Sequence, residues 1–467
     1  MENVNENRKK LPISVKTCYM IGDFGKNSFI MLNTMFLLYF YTDVIQIPAG
    51  AAAIIMLIAR VWDAINDPMM GVIVDKTKSK EGKCRFYLKY FSVPAGVCLA
   101  LSYFVPELNP SGKIIWVAVT YILQGTLSTV IMIPMNTLMP RLTDDKYERV
   151  SLGQYKGVAS ILANLIIPAV TLPLVTKLGG VSLQKGFCVV AIIYGAIYAI
   201  CHLIVYFGTK GYEKTHEEEI LELKETKSKE NSATVGAMIK ALVQNKVCLL
   251  VGLAYIIYLL YGSIMGSTLV YYLQYNIKNV GLMSIYSVVG TATAVIPVII
   301  MKVLVKKFGN AKSAALGCLV VVFGEILRFI TKDQYLPILY FGWALEGIGM
   351  GLFGSLIYQC MFDSMVYGEW KTGVANEGVI MSILSFSQKA GQALGGVVAG
   401  ALLTLVPYIP NAAEQAQSVL NLFFAENVTL PMVLFFILCA LFMYINKFEK
   451  MIPQMKKEIE ERKLQKA

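Results

Sequence analysis

Residues 186–207 read GFCVVAIIYGAIYAICHLIVYF, an apolar run without a Lys, Arg, Asp or Glu. A helix needs about 20 mostly apolar residues to cross the hydrocarbon core of a bilayer, and this run is long enough. Only helices and closed barrels satisfy all their backbone hydrogen bonds in lipid, and the apolar residues here are continuous rather than alternating. The run therefore predicts a transmembrane helix.

Runs of the same kind fill the rest of the chain, which has 467 residues, of which 56% are hydrophobic and only 16% charged. The sequence thus predicts an all-α membrane protein with twelve transmembrane helices in two six-helix bundles. The predicted spans are 18–42, 48–74, 86–105, 114–138, 150–175, 186–207, 247–275, 282–304, 314–330, 336–362, 378–405 and 430–445.

One long polar insert, residues 208–246, separates the sixth span from the seventh and carries the charged run 213–230. Charge runs of this kind are typical of solvated segments. The predicted domains are an N-terminal bundle (1–207), a cytoplasmic linker (208–246) and a C-terminal bundle with a cytoplasmic tail (247–467).

The basic residues indicate the orientation. Lys and Arg follow the second, fourth and eighth spans and fill the tail, whereas the loops after the odd-numbered spans carry few. Basic residues near span ends stay in the cytoplasm. We therefore expect both termini to be cytoplasmic, in a multi-pass protein of the cytoplasmic (inner) membrane. The net charge of +11 is spread over these loops, so no nucleic-acid partner is expected.

Residues that could carry catalysis are sparse. The nine cysteines are scattered without CxxC spacing, and His202 and His216 lack carboxylates at ligand spacing. The sequence predicts no enzyme, no cofactor, no catalytic residue and no metal beyond a transported ion.

The second span contains Arg60-Val61-Trp62-Asp63-Ala64-Ile65-Asn66-Asp67-Pro68. Asp63 and Asp67 are four residues apart and share a helical face, with Asn66 beside them. Oxygen ligands with negative charge suit a hard monovalent cation, and two neighbouring carboxylates can also hold a proton. Asp63, Asp67 and Asn66 are therefore candidate ligands for Na⁺ or H⁺. The alternative is structural pairing of the acids with Arg60 or Lys389.

Lys389 lies near the middle of the eleventh span among small residues. A lysine at that depth needs a carboxylate partner. We expect it to neutralise Asp63 and Asp67 when no cation is bound, which would couple cation binding to conformational exchange. The alternative is that its ammonium group reaches the membrane interface.

The first span carries Asp23, Lys26 and Asn27 within two turns. Sugar hydroxyls need such mixed donors and acceptors, although an intrahelical Asp23–Lys26 pair would explain two of the three residues equally well. Among other intramembrane charges, Glu325 and Arg328 are expected to form a structural pair, and Glu346 is a candidate for the cavity.

Several segments resemble the glycoside-pentoside-hexuronide:cation symporter family of the major facilitator superfamily, over most of the chain. The most specific is residues 62–68, WDAINDP. The others are Tyr41-Thr42-Asp43, residues 59–68 with Gly71, the loop 75–85, Ile133-Pro134 with Pro140, Asp145-Lys146 with Glu148-Arg149, and residues 363–369.

The resemblance implies the major facilitator fold, alternating access and a cation site on the second, fourth and eleventh helices. Asp63 and Asp67 match the family's cation carboxylates, Thr129 matches the fourth-helix hydroxyl, and Lys389 matches the eleventh-helix lysine.

The chain departs from the best-known member of this family at its sugar site. Met132 and Asn27 stand where that protein has acids, so galactoside recognition is not implied. Asn136 replaces an aromatic residue, and Lys156 lies near a fifth-helix arginine. The candidate substrate residues are therefore Asp23, Lys26, Asn27, Asn136 and Lys156. The loss of acids beside two lysines favours a uronide or another anionic sugar.

Charged residues at the cytoplasmic span ends are candidates for an inward gate closed by ion pairs, although topology control alone would also explain them. They are Asp75, Arg85, Asp145, Arg149, Asp363 and Glu369.

The expected function is secondary active symport of a sugar (a glycoside, pentoside or hexuronide) with Na⁺ or H⁺. The expected partners are the sugar, a monovalent cation and the lipid bilayer. The alternatives are a lysolipid or drug carrier on the same scaffold, and a sensor descended from a transporter.

Overall fold

The computed structural model describes residues 11–143, 145–213, 244–373 and 377–466, which form helices, turns and loops without a strand. Most of the predicted linker lies outside these residues. The chain divides into two compact units, Met1–Glu230 and Asn231–Ala467.

The first unit contains six long helices, numbered here in chain order. They are α1 (Ile13–Tyr39, continued by a π-helical turn, Phe40–Val44), α2 (Ala49–Lys76), α3 (Arg85–Ser102), α4 (Pro110–Leu142), α5 (Lys146–Gly179) and α6 (Leu183–Gly208).

Within its described residues, the second unit contains six long helices and a short terminal one. They are α7 (Lys246–Tyr271, with the π turn Tyr272–Asn276), α8 (Leu282–Phe308), α9 (Asn310–Thr331), α10 (Leu336–Thr372), α11 (Glu377–Leu403), α12 (Gln417–Phe424, Ala425–Thr429 and Leu430–Glu449) and α13 (Ile452–Lys466).

Each of the twelve predicted spans corresponds to one of α1–α12. Within the described residues, eight helices are long and apolar enough to cross a membrane, and α8, bent by 48° near Pro297, would be a ninth. The largest boundary difference is in α12, which begins at Gln417 rather than 430. Gln417, Asn421 and Glu426 lower the hydropathy of its first turns, so the apolar pattern begins late.

Close helix approach in the first unit depends on glycine where α3 crosses α6. A Cβ on Gly96 would lie 2.3 Å from the carbonyl oxygen of Gly195, and a Cβ on Gly195 would lie equally close to that of Gly96. Small residues at such crossings let helix backbones approach directly. This contact fixes α3 and α6 together behind the helices that carry the candidate site.

The first helix of each unit ends in the same way. Ile45 N–H donates to Phe40 O at 3.0 Å, and Ile47 N–H donates to Tyr41 O at 2.8 Å. In the second unit Ile277 N–H donates to Tyr272 O at 3.1 Å, and Asn279 N–H donates to Leu273 O at 2.9 Å. The residue between each pair of donors, Gln46 or Lys278, has a positive φ of 60° or 58°. The two units therefore repeat a local structure that their sequences do not obviously share.

A second repeated feature is a carboxylate that caps a helix from the far end of its own unit. Glu213 accepts hydrogen bonds from the backbone N–H groups of Cys84 (2.7 Å) and Arg85 (3.1 Å) at the start of α3. Glu449 accepts from those of Asn310 (2.5 Å) and Ala311 (2.7 Å) at the start of α9. Acids are favourable at helix N-termini because unpaired N–H groups and the helix dipole meet there.

Candidate cation and substrate sites

The candidate cation carboxylates on α2 face α4. Asp67 Oδ1 accepts a hydrogen bond from the Thr129 hydroxyl at 3.0 Å. One turn earlier, a Cβ on Gly125 would lie 3.1 Å from Asp63 Oδ1. Residues four apart on a helix share a face, so the Asp63–Asp67 pair meets the Gly125–Thr129 pair in register. The interface between α2 and α4 therefore brings the Asp63 and Asp67 carboxylates and the Thr129 hydroxyl together.

Neighbouring polar groups fix the surroundings of this pair. Arg60 Nη1 donates to Asp63 Oδ2 at 3.3 Å, with side chains 34% and 30% exposed. The predicted alternative pairing of Asp63 with Arg60 is thus present, and it leaves Asp63 half-buried. Trp62 Nε1 donates to the Thr126 hydroxyl at 2.8 Å, which adds a second link between α2 and α4.

Asn66 is a buried amide on α2, and its side-chain nitrogen finds no hydrogen-bond partner in the part of the chain that the structure describes. An unsatisfied buried amide costs free energy, so a site that holds one usually has a use for it. Carboxylate, hydroxyl and amide groups at this interface form a donor set of the kind that a hard monovalent cation or a proton requires.

On α1 the candidate substrate residues bind one another. Lys26 Nζ donates to Asp23 Oδ1, and Asn27 Nδ2 donates to Asp23 Oδ2 at 2.8 Å. The Asp23 side chain is only 1% exposed and that of Lys26 is 12% exposed. The intrahelical pair that was the alternative reading of these residues is therefore formed, and Asp23 is satisfied from both sides.

Lys156 on α5 is half-buried and interacts electrostatically with Lys26 and Asp23. One acid and two bases leave one positive charge in this group. Asn136 on α4 has an exposed side chain, and no hydrogen bond places it with the α1 residues.

His202 belongs to the same group, although its sequence position gave no reason to place it there. It is fully buried on α6, close to Gly25, and it too interacts with Lys26 and Asp23. Its Nδ1 lies 2.7 Å from Tyr198 O, and its Nε2 is buried without a partner. Only a prediction that α1 packs on α6 could have found it.

Lys389 on α11 has an exposed side chain in the second unit. Its role as a neutralising partner of Asp63 and Asp67 remains a prediction.

In the first unit the gate candidates bind nearby backbone. Arg85 donates to Tyr206 O from Nε (3.0 Å) and Nη2 (2.8 Å). Asp145 accepts from Tyr147 N–H at 2.7 Å and thereby caps α5. Arg149 donates to Thr143 O at 2.9 Å and to Pro140 O at 3.1 Å. Asp75 is exposed at the end of α2.

In the second unit Asp363 accepts a hydrogen bond from Asn310 Nδ2 at 2.7 Å, and Glu369 is half-buried near the end of α10. The gate candidates with hydrogen bonds therefore help to hold helix ends inside their own unit, whatever they do during transport.

Besides His202, two further groups of residues were not predicted from the sequence. Gly125 carries no chemistry of its own, and its spacing of four residues before Thr129 was its only signal. Glu213 and Glu449 bind backbone N–H groups, which leave no mark in a sequence pattern. The nearby Gly82 and Gly309, with φ of 97° and 83°, are the only local hints of those turns.

A family model described as MFS/sugar transport protein matches residues 18–450. An isoprimeverose transporter of Lactiplantibacillus pentosus is 31% identical over 98% of this chain and 93% of its own length. A putative glycoside/cation symporter of Escherichia coli K12, YagG, is 26% identical over 93% of this chain and 92% of its own length. A putative sulfoquinovose importer of Salmonella typhimurium is 26% identical over 90% of this chain and 87% of its own length.

Solved structures of other transporters share the fold. A bacterial homologue of the lysosomal transporter Spinster superposes with a TM-score of 0.64 over 93% of this chain and 96% of its own, at 12% identity. A bacterial homologue of the iron transporter ferroportin gives 0.62 over 93% and 98%, also at 12% identity. These matches confirm the major facilitator fold, and the relatives confirm the resemblance to glycoside-pentoside-hexuronide:cation symporters. The chain belongs to the MFS/sugar transport protein family, as a multi-pass membrane transporter of sugars and not an enzyme.

Proposed function

We propose that this transporter couples sugar movement to that of Na⁺ or H⁺, and that the coupling ion binds between α2 and α4. The observation that carries the proposal is the register of the two helices, in which Asp67 meets Thr129 and Asp63 meets Gly125. Two carboxylates at this interface are half-buried, so they are partly shielded from bulk water.

The cation would take its ligands from Asp63, Asp67, Thr129 and the Asn66 side chain. A monovalent ion placed there compensates negative charge in a low-dielectric setting, which strengthens binding. Lys389 would compensate the same charge in the ion-free carrier during alternating access. Each cation that enters down the membrane potential supplies about 2.3 kcal/mol per 100 mV, enough to drive uphill sugar uptake.

The substrate would bind near Asp23, Lys26, Asn27 and Lys156, with Asn136 and His202 as further candidates. Isoprimeverose is the first sugar to test, because a transporter of that name resembles this chain over nearly its whole length. The surplus positive charge from Lys156 supports a second class, the uronides and other anionic sugars. The six gate candidates would close the cytoplasmic side, with both termini in the cytoplasm and the protein in the inner membrane.

The decisive experiment is uptake into proteoliposomes of labelled isoprimeverose, a neutral monosaccharide and glucuronate, under an imposed gradient of Na⁺ or H⁺. We expect one sugar to accumulate above equilibrium under one of the gradients. Accumulation that ignores both gradients would refute coupling. Export of a lysolipid without sugar uptake would favour the lipid-carrier alternative, and sugar binding without counterflow would favour a sensor.

A further inference from the structure

A separate group of charged side chains is sealed inside the second unit. Arg328 on α9 donates from Nη1 to Glu325 Oε2 at 3.0 Å and from Nη2 to Asp333 Oδ2 at 3.0 Å, and all of the side chains in the Glu325 and Asp333 pairs are 0% exposed. Nη1 also lies 3.1 Å from Asn427 O on α12. One guanidinium therefore serves two carboxylates and a backbone carbonyl.

Glu346 on α10 is a third acid beside this group. It is 1% exposed, so the expectation that it faces an open cavity is wrong. Its Oε1 accepts a hydrogen bond from the Tyr261 hydroxyl at 2.6 Å, whereas its buried Oε2 finds no hydrogen-bond partner among the described residues. Among the described residues no Lys or Arg forms an ion pair with it, because Arg328 is engaged by Glu325 and Asp333.

Among the described residues, Arg328 is the one cation that interacts with Glu346. The ionisable groups that interact with it are Tyr258 and Tyr261 on α7, Tyr286 on α8, and Glu325 and Arg328 on α9. Lys389 on α11 has an exposed side chain. Full ionisation of three acids around one guanidinium would leave two uncompensated negative charges in a sealed apolar core.

That arrangement is unfavourable for two reasons. An ion taken out of water without a partner costs several kcal/mol even after the protein relaxes. In addition, a carboxylate normally accepts hydrogen bonds at both oxygens, and Oε2 of Glu346 has none. A proton on Oε2 removes the charge and turns that oxygen into a donor.

The Tyr286 hydroxyl oxygen is the candidate acceptor for the hydrogen on Oε2. The Tyr286 hydroxyl also faces the Glu346 carboxyl, and it lies 3.1 Å from Met265 Sδ, to which it can donate its own hydrogen. Its oxygen is then available to accept from Oε2–H. Tyr261 would continue to donate to Oε1, so both ends of a neutral carboxyl would be matched.

We propose that Glu346 is a proton-binding site of the second unit, distinct from the α2 carboxylates, and that it holds H⁺ at neutral pH. The site lies between α7, α8 and α10, and its ligand is a single proton on Oε2. It is independent of whether the coupling ion at α2 is Na⁺ or H⁺.

The test is infrared spectroscopy of the purified full-length protein at pH 7, where an ordinary glutamate with a pKa of about 4.3 is ionised. We expect a carbonyl stretch of a protonated carboxylic acid that shifts in D₂O and is missing from Glu346→Gln. The matched control is Glu107→Gln, because Glu107 is an exposed loop acid whose removal should leave the band intact. A band of unchanged intensity in Glu346→Gln would overturn the proposal.

A second variant keeps the test decisive if Glu346→Gln does not fold. Tyr261→Phe removes the hydrogen bond to Oε1, so the Glu346 band should persist and move to higher frequency. If no protonated-carboxyl band responds to Tyr261→Phe, Glu346 is not protonated. Because this readout involves no transport, its failure would leave the symport proposal standing, and failed symport would leave this site untouched.

Discussion

The two units end their first helices alike and cap a later helix alike, yet the Arg60–Asp63 pair of the first unit and the Arg328 group of the second hold intramembrane charge in opposite ways. In the first unit the Arg60–Asp63 pair is 34% and 30% exposed and spans 3.3 Å. In the second unit the Arg328–Glu325 pair is 0% exposed on both sides and spans 3.0 Å. The repeated backbone features therefore do not determine how deeply an ion pair is buried.

The difference separates exchangeable charge from fixed charge. A half-exposed pair gains little from its Coulomb attraction and can release its partner at small cost. A sealed pair that loses one member leaves a buried, uncompensated charge, which is strongly unfavourable. Ion exchange therefore fits the first unit, and the Arg328 group fits a permanent framework in the second.

The largest effect should come from Arg328→Met. It leaves Glu325 and Asp333 buried without their cation, and we expect the free energy of unfolding to fall by about 3–5 kcal/mol. Thermal unfolding monitored by circular dichroism in detergent measures it. Arg60→Met in the half-exposed pair is the matched control, with an expected loss of less than about 1 kcal/mol. Equal losses in the two variants would remove the distinction between the units.

Asp67→Asn should weaken cation binding about 100-fold, or about 2.7 kcal/mol, because it removes one of two carboxylates facing the ion. Isothermal titration with Na⁺, or with acid if Na⁺ does not bind, measures the affinity. Glu107→Gln removes an exposed loop acid and should bind the ion like the wild type. Unchanged affinity in Asp67→Asn would place the ion elsewhere.

Gly125→Ala should weaken the same binding about tenfold, or about 1.4 kcal/mol, because the new methyl group would lie 3.1 Å from Asp63 Oδ1 and displace it. Alanine favours a helix over glycine by about 1 kcal/mol, so a weakened α4 would not explain the loss. The same titration serves here. Gly262→Ala is the control, since a Cβ there meets no atom within 4 Å. Full affinity in Gly125→Ala would show that α4 does not line the site.

The smallest expected effect is on the contact between α13 and α10 at the exposed end of the second unit. The hydrogen bond from Trp370 Nε1 at 2.5 Å lowers the pKa of the Glu458 carboxyl, with a further contribution from Gln454. A lowered pKa stabilises the contact of α13 with α10 above the unfolded pKa of about 4.3, and that stabilisation is lost as the pH falls through the folded value.

We compare the hydrogen-exchange rate of residues 452–466 in the wild type with the rate in Glu458→Gln at each pH. The ratio of the two rates should therefore stay constant from neutral pH down to about pH 5 and should rise only in stronger acid. Glu458→Gln keeps an oxygen that can accept from Trp370 and should show no such transition. A transition of the same size in both proteins would show that another group controls the contact.

The sequence predicted the helices and the α2 carboxylates because both follow from periodicity. A hydropathy window finds a span, and a spacing of four places Asp63 and Asp67 on one face. It placed the start of α12 late, since Asn421 lowers the hydropathy of the first turns and Glu426 belongs to a buried π-helical turn that a hydropathy window does not recognise.

The sequence predicted partners on the same helix, such as Glu325 for Arg328, but not partners on other helices. Lys26 and Asn27 both donate hydrogen bonds to Asp23 on their own helix. His202 joins this group only because α6 packs on α1. Glu346 was a candidate for the cavity because an ionisable group in a span normally faces a cavity or a partner, and the structure gives it a partner, the Tyr261 hydroxyl, inside the sealed helix packing.

The carboxylate of Glu449 has a practical consequence for protein engineering. Although it lies near the C-terminal end of the chain, it bridges to the backbone at Asn310 and Ala311, more than a hundred positions earlier. Deleting the tail or fusing a reporter upstream of this residue would remove the carboxylate that caps the start of α9. Tags and cut sites therefore belong at the far end of α13, beyond the hydrogen bond between Trp370 and Glu458.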